Sequence, residues 1–546
     1  MRKLISAAAA VLALSLGLAA VSPCAVAADE TARSDAAKSE AKEKIELPPF
    51  PADATVKQVT HVAGRTLNYT ATVGSLPVRD AKGKKIAEVV FTAYILDGPR
   101  DHARPVTFAF NGGPGAASVY LNMGAIGPKR IQFGAQGDSP SDPVRLVDNA
   151  GSWLDFTDLV FIDPVGTGFS RSLEETEQTK KDFFQVKQDV AYLSRIVFDW
   201  LVKNGRMASP KYVVGESYGG YRAPAIAHYL QTELGVGPSG VVMVSPFLDA
   251  RTQSFEDISP LPFIVELPSE AAANYERQGK PLNPETLAEV EQYARSEFAV
   301  DLMKGRSDPA AVDRIVAHVT RYTGLRPELV KHMGGRVDPG VFLRELYRDQ
   351  GKLASVYDSN VTTWDPYPWS QDQRAGDPIL DAIIAPTTSA MVDFMTRTVG
   401  WKAEGRYNAL SNAVNQAWEK NWFQEVESVS DLRKAVAADG KLRVLIAHGY
   451  DDLSVLRLAA DRRPDAADGR ARPRAARGLS GRPHVLLPPR QPGRLPPRRH
   501  GSLRRAVAFL SAGAGEGKRL PRRLRLTLGY GCSPTTPCGR DAPPAK

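Results

Sequence analysis

The chain has 546 residues, enough for one large domain with insertions or for two domains. Its formal net charge is +9, but residues 453–546 alone hold 19 Arg and 2 Lys against 5 acidic residues, which leaves the rest at about −7. An acidic body argues against nucleic acid as a partner. Cysteine occurs only as Cys24, Cys532 and Cys538, so the region between has neither a disulfide framework nor a thiol nucleophile.

Residues 1–27 have the pattern of a secretory signal peptide. Arg2 and Lys3 precede an apolar run at 4–20, and small residues at 25–27 form a cleavage site. A membrane anchor is the alternative, but the run is short and ends in Ser-Pro, and we find no later segment with the roughly 20 apolar residues of a spanning helix. We therefore expect an exported protein, periplasmic or extracellular, without stable membrane insertion.

Residues 28–53 are rich in charge and proline and predict a flexible leader. Alternating apolar and polar residues from 56 to 96 then predict antiparallel hairpins around 81–83. The short apolar strand 105–110 leads directly into Asn-Gly-Gly-Pro-Gly at 111–115. This loop is either a simple turn or a cradle of backbone amides, and its position after a buried strand favours the cradle.

The next segments alternate between strands and helices. Apolar runs at 159–163 and 240–245 predict buried strands, and the pattern at 183–203 predicts a long amphipathic helix. Continuous apolar strands that alternate with helices indicate a mostly parallel sheet covered on both faces. We assign residues 54–245 to the first part of this α/β core.

Between these strands lies the sequence Gly-Glu-Ser-Tyr-Gly at 215–219, after the strand residues 212–214 and before a helical pattern. A Gly-x-Ser-x-Gly turn between a strand and a helix is typical of a nucleophile elbow, in which the two glycines avoid steric clashes and the serine hydroxyl is exposed. The turn also directs the backbone N–H of Tyr218 toward the position of an oxyanion. Ser217 is therefore a candidate nucleophile.

Residues 246–410 lose the alternation and predict an inserted cap, with helices at 284–298 and 308–321, over the carboxyl edge of the sheet. The core resumes at 411–454, with a predicted helix at 410–422 and a strand at 442–447. A carboxylate just after such a late strand suits the second member of a Ser–Asp–His triad. Taken without the elbow, the same acidic residues would indicate only a helix cap.

Four segments together resemble the serine carboxypeptidase family, in particular its secreted bacterial branch. They are the loop at 111–115, Asp-Pro-Val-Gly-Thr-Gly-Phe-Ser at 163–170, Gly-Glu-Ser-Tyr-Gly-Gly at 215–220, and the late glycine and aspartates at 449–452. The resemblance covers about residues 55–454. It implies an α/β-hydrolase fold with a helical cap and a serine peptidase that removes C-terminal residues from peptides through an acyl-enzyme. The sequence shows no metal-ligand spacing and no nucleotide-binding loop, so we expect no cofactor and no metal.

The same resemblance assigns roles to single residues. It implies that Ser217 is the nucleophile and that Asp452, the second acidic residue after the late glycine, orients the base. The backbone amides of Gly113 and Tyr218 would form the oxyanion hole, and the side chains at 111 and 216 (an Asn and a Glu) would hold the carboxylate of the peptide's last residue. Because two carboxylates in contact cannot both ionise, Asn111 and Glu216 would bind that group best in mild acid.

The sequence changes character near Val455, and residues 455–546 form an Arg/Pro-rich tail that we expect to be disordered. Shifting the reading frame by one base lets 460–468 read Leu-Ile-Val-Asp-Gln-Met-Pro-Pro-Met and 482–486 read Gly-His-Met-Phe-Tyr. Both shifted readings give amino-acid sequences similar to those of the family, and the second restores the loop that carries the family's catalytic histidine. We interpret the last 90 or so residues as the product of a frameshift.

The family's catalytic histidine follows Asp452, and the chain offers only His484 and His500 there. His484 is the candidate base in the printed sequence, although it overlaps the lost codon only by chance. His448 precedes Asp452 at the end of a strand, where a structural role is expected. Loss of the base would impair catalysis by orders of magnitude.

Two other functions fit the same residues. An esterase or acyltransferase could use the same scaffold, although Asn111 and Glu216 favour a substrate with a free carboxylate. A non-catalytic peptide binder with a basic tail would bind peptides without turnover and would associate with acidic surfaces in a salt-dependent manner. Side-chain preference and oligomeric state are not predicted by the sequence.

Overall fold

The computed structural model describes residues 48–98, 104–132, 140–141, 143–252, 258–370, 375–418, 426–455 and 477–479. The chain divides into two units at Pro49, and every element below belongs to the unit that starts at Phe50. The predicted signal peptide and most of the predicted leader lie outside the described residues. The same is true of the tail after Val455, apart from 477–479.

Within the described residues, a ten-stranded mixed sheet forms the centre of the protein. The strands of this sheet and of two small two-stranded sheets are β1 Ala54–Val62, β2 Arg65–Arg79, β3 Lys85–Leu96, β4 Val106–Phe110, β5 Lys129–Gln132, β6 Arg145–Asp148, β7 Asp158–Ile162, β8 Arg171–Ser172, β9 Lys211–Glu216, β10 Gly240–Val244, β11 Lys352–Ala354, β12 Thr362–Trp364, β13 Arg443–Gly449 and β14 Arg477–Leu479. The order across the large sheet is β1-β2-β3-β7-β4-β9-β10-β13-β14, with β8 beside β3.

The strand pairings confirm the predicted sheet. From β7 to β14 every neighbouring pair is parallel, whereas β1, β2 and β3 pair antiparallel. The predicted hairpin is β2–β3, where Arg79 lies opposite Lys85. The apolar runs predicted as buried strands are β4, β7 and β10, and all of their residues are buried.

Alternate residues of these strands face two different hydrophobic clusters. Val213 and Val241 contribute to one cluster with Trp200, and Val214 and Val242 contribute to the other with Met391. The sheet is therefore covered on both faces, which explains why its strands are apolar without alternation. Together with the strand order, this is an α/β-hydrolase fold.

The helices surround the sheet and build the inserted region. They are α1 Thr176–Phe183, α2 Val186–Lys203, α3 Tyr218–Thr232, α4 Leu261–Arg277, α5 Pro284–Tyr293, α6 Ala299–Lys304, α7 Pro309–Thr323, α8 Pro327–Met333, α9 Pro339–Glu345, α10 Pro378–Asp393, α11 Asn412–Ala417 and α12 Val429–Ala438. π-helical turns join α5 to α6 and extend α10 to Val399. The helices α4, α5, α7 and α9 share a third hydrophobic cluster, which also contains Tyr450 and Leu453.

Two predicted helices differ from the structure. The helix predicted at 183–203 begins at Val186 and is preceded by the separate helix α1. The helix predicted at 410–422 is too long, since α11 ends at Ala417 and Trp418 is extended, with φ −61° and ψ 147°. The Trp418 indole instead packs edge-on against the Tyr218 ring, 5.4 Å between centroids, which turns the chain away from the helix axis.

Residues 378–399 correct the expectation that no later segment reaches the length of a membrane-spanning helix. This 22-residue helical segment is long and apolar enough by composition, but 44% of its most apolar window is buried within the protein. A buried core helix passes the same test of length and hydropathy. Its apolar character is explained here by packing against the sheet.

The short strand β14 is the described part of the tail. It pairs in parallel with β13, with Gly478 opposite His448. These three residues depart from the disorder expected after Val455. The remainder of the tail, including His484 and His500, lies outside the described residues.

Asp163 is a buried carboxylic acid at the end of β7. It accepts hydrogen bonds from the Ser118 N–H (2.8 Å) and the Tyr407 hydroxyl (3.4 Å). A side chain at Gly168 would collide with its Oδ2, so the glycine-rich loop at 163–170 closes directly over this carboxyl group. Burial raises the pKa of Asp163 to about 7, although both hydrogen bonds act to lower it.

We expect Asp163 to make folding stability fall as pH rises from about 4 to about 7. The folded chain keeps the proton in this window whereas the unfolded chain releases it, so the stabilising contribution is complete below pH 4 and is lost as pH rises through 7. A shift of roughly three units corresponds to about 4 kcal/mol. Urea unfolding between pH 4.5 and 7.5 should show a smaller pH slope for Asp163→Asn.

Asp393→Asn is the matched control, because the Asp393 carboxylate is paired with Arg397 and its pKa is lowered. Its contribution to stability is lost only in stronger acid, so this variant should keep the wild-type slope between pH 4.5 and 7.5. A slope that Asp163→Asn leaves unchanged would contradict the role of Asp163.

Candidate active site

Ser217 lies at a sharp turn between β9 and α3. Its backbone has φ 58° and ψ −123°, a region that residues other than glycine rarely adopt. The Ser217 N–H donates to Val244 O (3.0 Å), and the Ser217 carbonyl accepts from the N–H groups of Phe247 (3.0 Å) and Gly220 (2.8 Å). These bonds to the neighbouring strand and its loop stabilise the strained backbone.

Neighbouring backbone atoms leave no room for a side chain at either glycine of the motif, as the sequence predicts. A side chain at Gly215 would collide with the carbonyl oxygen of Gly219, and a side chain at Gly219 would collide with that of Phe110. The second contact is informative because Phe110 ends β4, immediately before the loop at 111–115. The elbow helix and that loop therefore lie in direct contact.

Gly112 shows how close this approach is. A Cβ atom at Gly112 would lie 2.5 Å from the Tyr218 backbone nitrogen and 2.9 Å from Ser217 Cβ. Real Cβ atoms do not make such contacts, so only glycine fits here. The structure thus brings Gly113 and Ser217 to the same cavity, with Tyr218 N beside the loop.

A buried ion pair holds the loop against the elbow helix. Arg222, on the first turns of α3, donates from Nε and Nη2 to both carboxylate oxygens of Asp189 (2.7 and 3.0 Å). Its Nη1 donates to the carbonyl oxygen of Asn111 (2.8 Å). Both ionic side chains are about 1% exposed. Removing either Arg222 or Asp189 would leave the other as an unpaired buried charge. Because Arg222 also binds the Asn111 carbonyl, we expect the position of Asn111 to depend on the intact pair.

Asn111 and Glu216, the residues predicted to hold a carboxylate, are hydrogen-bonded to each other. Asn111 Nδ2 donates to Glu216 Oε2 (2.8 Å), and Asn111 Oδ1 accepts from the Leu121 N–H (2.9 Å). The bond from Leu121 fixes the amide orientation, so its NH₂ group points toward Glu216. Both side chains are buried and line the cavity that contains Ser217.

This cavity has a volume of about 110 Å³ and combines core and cap residues. Burial raises the pKa of the Tyr357 phenol, which comes from the inserted region, and the nearby Asp377 carboxylate adds to this. Glu216, which lines the same cavity as Tyr357, and Asp452 raise the same pKa further. The first turns of α10 supply apolar wall residues.

The two adjacent aspartates after β13 have different surroundings. Asp452 is fully buried, and its Oδ1 accepts from the Ser454 N–H (2.9 Å) and hydroxyl (2.6 Å). Asp451 instead faces the cap, where its Oδ2 accepts from Asn360 (3.4 Å), and burial followed by the charge of Glu276 raises its pKa to about 7. Of the two, Asp452 is the aspartate whose charge raises the pKa of Tyr357.

His448, for which the sequence predicts a structural role, has a hydrogen-bond partner at each of its two ring nitrogens. His448 is buried, with Nδ1 2.7 Å from Gly449 O and Nε2 3.0 Å from Val455 O. Main-chain carbonyl groups therefore engage both ring nitrogens. His484, the candidate base, lies outside the described residues.

Several residues of this site were not predicted. Tyr120 and Tyr357 line the cavity, and Arg222 with Asp189 positions its loop. The sequence held one signal for Arg222, namely a single charge within the small and apolar residues 219–227, which a buried helix tolerates only with a partner. Within the described residues, no group of three or more His, Cys, Asp or Glu side chains could hold a metal ion.

Comparison with known proteins agrees with this geometry. A sequence model of the serine carboxypeptidase family matches residues 76–252, which include the loop at 111–115 and the elbow. Pheromone-processing carboxypeptidase KEX1 of Fusarium vanettenii is 27% identical over 362 residues, covering 63% of this chain and 47% of the relative. Serine carboxypeptidase-like 9 of Arabidopsis thaliana is 32% identical over 143 residues, covering 25% of this chain and 30% of the relative.

The chain thus spans less than half the length of these relatives. Among solved structures, KEX1(delta)p, a prohormone-processing carboxypeptidase from Saccharomyces cerevisiae, aligns with a TM-score of 0.45 at 17% identity, covering 72% of this chain and 76% of that chain. The sequence match at 76–252 makes this part of the chain, which contains the elbow and the loop that contacts it, similar to the serine carboxypeptidase family.

Proposed function

We propose that this protein is a serine-type carboxypeptidase that removes the last residue of a peptide through an acyl-enzyme. The observation that carries the proposal is the Asn111–Glu216 pair, which lies in the same cavity as the strained Ser217. A nucleophile beside a site for a free carboxylate selects the last peptide bond of a chain. An esterase does not require a site for a free carboxylate.

In the proposed reaction the Ser217 hydroxyl attacks the carbonyl carbon of the last peptide bond. A base accepts the hydroxyl proton, and the N–H groups of Gly113 and Tyr218 stabilise the negative charge on the carbonyl oxygen. The base then protonates the leaving amine, which departs as the free C-terminal amino acid. Water, deprotonated by the same base, hydrolyses the ester on Ser217.

Asp452 is proposed to orient the base. It is buried, its Oδ1 is hydrogen-bonded within its own loop, and its charge raises the pKa of Tyr357, which lines the cavity. The base itself belongs to the tail, where we propose that a frameshift after Val455 has replaced the histidine loop and left only His484 nearby. The chain as printed would then bind peptides but turn them over poorly.

We also propose that the mature protein is exported to the periplasm or the extracellular space. The proposal rests on the charged, apolar and small-residue order of residues 1–27. An acidic core without cysteine between residues 25 and 531 is compatible with either compartment.

Restoring the reading frame by a one-base shift after codon 455 should raise kcat/KM by at least about 10³-fold, because a triad without its base loses several orders of magnitude. The substrate is an N-blocked dipeptide with a free carboxylate, assayed beside its C-terminal amide and its ethyl ester. Ser217→Ala in the restored chain is the control and should return the rate to background.

Equal rates for the printed and restored chains would contradict the assignment of the base to the tail. Cleavage of the ester with no preference for the free acid would favour the esterase alternative.

Binding of a free-acid peptide should weaken as pH rises, and Glu216→Gln should remove that dependence. A peptide carboxylate in contact with Glu216 requires one shared proton, so affinity should fall by up to about tenfold per pH unit once the proton is lost. The dissociation constant is measured from pH 5 to 8.5 in the Ser217→Ala background, where no turnover occurs. The amide of the same peptide is the control, and an unchanged slope in Glu216→Gln would exclude Glu216 from this role.

A further inference from the structure

The cavity contains a buried hydroxyl that no described residue satisfies. Tyr120 lines the cavity beside Asn111 and Glu216, and its hydroxyl oxygen is buried without a hydrogen-bond partner among the described residues. Burying a hydroxyl without a partner costs about 1–3 kcal/mol. A group kept at that cost inside a proposed binding site points to a partner on the ligand.

The position of Tyr120 is tied to that of Asn111. Leu121, the next residue, donates its N–H to Asn111 Oδ1 (2.9 Å), so the two side chains are fixed on adjoining segments. Burial raises the pKa of the Tyr120 phenol, and the charge of Glu216 raises it further. The phenol therefore lies near the Glu216 carboxyl group and keeps its proton, so it can donate a hydrogen bond at any pH of interest.

We propose that the Tyr120 hydroxyl donates a hydrogen bond to the terminal carboxylate of a bound peptide, beside Asn111 and Glu216. This inference rests on the proposed function and adds a binding residue to it. A carboxylate can accept about four hydrogen bonds, so the second N–H of the Asn111 amide, the shared proton at Glu216 and the phenol can all be accommodated. Of these three hydrogen-bond donors, the Asn111 amide and the Tyr120 phenol keep their protons throughout the pH range of the test, so only the shared proton at Glu216 makes binding depend on pH.

The test is Tyr120→Phe, measured as peptide binding in the Ser217→Ala background of the full chain. The dissociation constant of N-acetyl-Phe-Leu should rise about tenfold or more at every pH from 5 to 8.5, since hydrogen bonds to charged groups contribute about 1.5–3 kcal/mol. The pH slope should stay as in the parent chain, in contrast to Glu216→Gln. The amide N-acetyl-Phe-Leu-NH₂ should bind both proteins equally.

Tyr69→Phe is the matched control, because Tyr69 also has a buried hydroxyl without a partner among the described residues but does not line the cavity. It should leave the dissociation constant unchanged. Both variants remove an unsatisfied hydroxyl, so neither should lower the melting temperature.

Three results would overturn the role of Tyr120: unchanged affinity for the free acid, an equal loss for the amide, or a melting temperature that falls. In each case a preference of the parent chain for the acid over the amide would leave the proposed function standing. A parent chain that does not distinguish acid from amide would contradict the proposed function itself.

The walls of the cavity carry a second inference about the substrate. Next to the polar pair, its lining is mainly apolar, with Leu121 from the core and Ile379, Leu380 and Ile383 from α10. Glu216 is the single ionisable acid or base among the described lining residues other than the two phenols. With Glu216 engaged by the terminal carboxylate, a charged side chain would be buried here without a partner, at a cost of several kcal/mol.

We infer that the enzyme accepts peptides whose last residue is a mid-sized aliphatic one, which again rests on the proposed function. The volume of about 110 Å³ leaves room for one such side chain beside the carboxylate. Among N-acetyl-Phe-X peptides with a free carboxylate, X = Leu should bind at least about 30-fold more tightly than X = Lys or Asp. X = Trp should also bind weakly, because the cavity is small.

Ile383→Ala should narrow the difference between Trp and Leu, since it widens the wall formed by α10. Val392→Ala, a substitution further along α10 at a position that does not line the cavity, is its control and should leave the Leu-to-Trp ratio unchanged. Equal affinity for Leu and Lys would overturn the aliphatic preference while leaving the acid-over-amide comparison as the separate test of the function.

Discussion

The contact between two backbone segments, the loop at 111–115 and the elbow at 215–219, is the constraint on which this site depends. Gly112 and Gly219 lie where no side chain fits, so the distance between the segments is set by the main chain itself. Arg222 stabilises this contact, because its guanidinium group donates hydrogen bonds to both the Asp189 carboxylate and the Asn111 carbonyl oxygen. The proposed nucleophile, the proposed oxyanion donors and Asn111 therefore lie on two core segments in direct contact.

The proposed recognition site is arranged differently, because its cavity is lined by residues from both the core and the inserted region. Asn111 and Glu216 are fixed by the core, whereas Tyr357 and the α10 wall come from the insertion. The loop after β13 connects the two, since Tyr450 and Leu453 pack in the hydrophobic cluster of the cap while the charge of Asp452 raises the pKa of the cavity-lining Tyr357. The loop at 449–455 thus carries both the proposed orienting carboxylate and contacts to the inserted region.

Local patterns predicted most of the sheet and the elbow, because continuous apolar strands and glycine spacing reflect contacts within a few residues. Contacts distant in sequence could not be predicted in the same way. The Arg222–Asp189 pair and the approach of Tyr357 depend on how separate helices pack, and the early end of α11 depends on Trp418 packing against Tyr218. The assignment of Asp452 over Asp451 came from the family resemblance, and the base remains a proposal because its candidates lie outside the described residues.

The Asp377 carboxylate connects two segments of the cavity wall, which bears on how the selectivity of the proposed site could change in evolution. It accepts hydrogen bonds from Ser355, from the N–H of Val356, and from the first turn of α10 at Ile379 and Leu380. The Asp377 side chain thereby links the segment that carries Tyr357 to α10, the helix that forms the aliphatic wall. Under the proposed function, substitutions on this linked unit would alter which amino acid is released while the elbow stays unchanged, so selectivity could evolve separately from the proposed nucleophile.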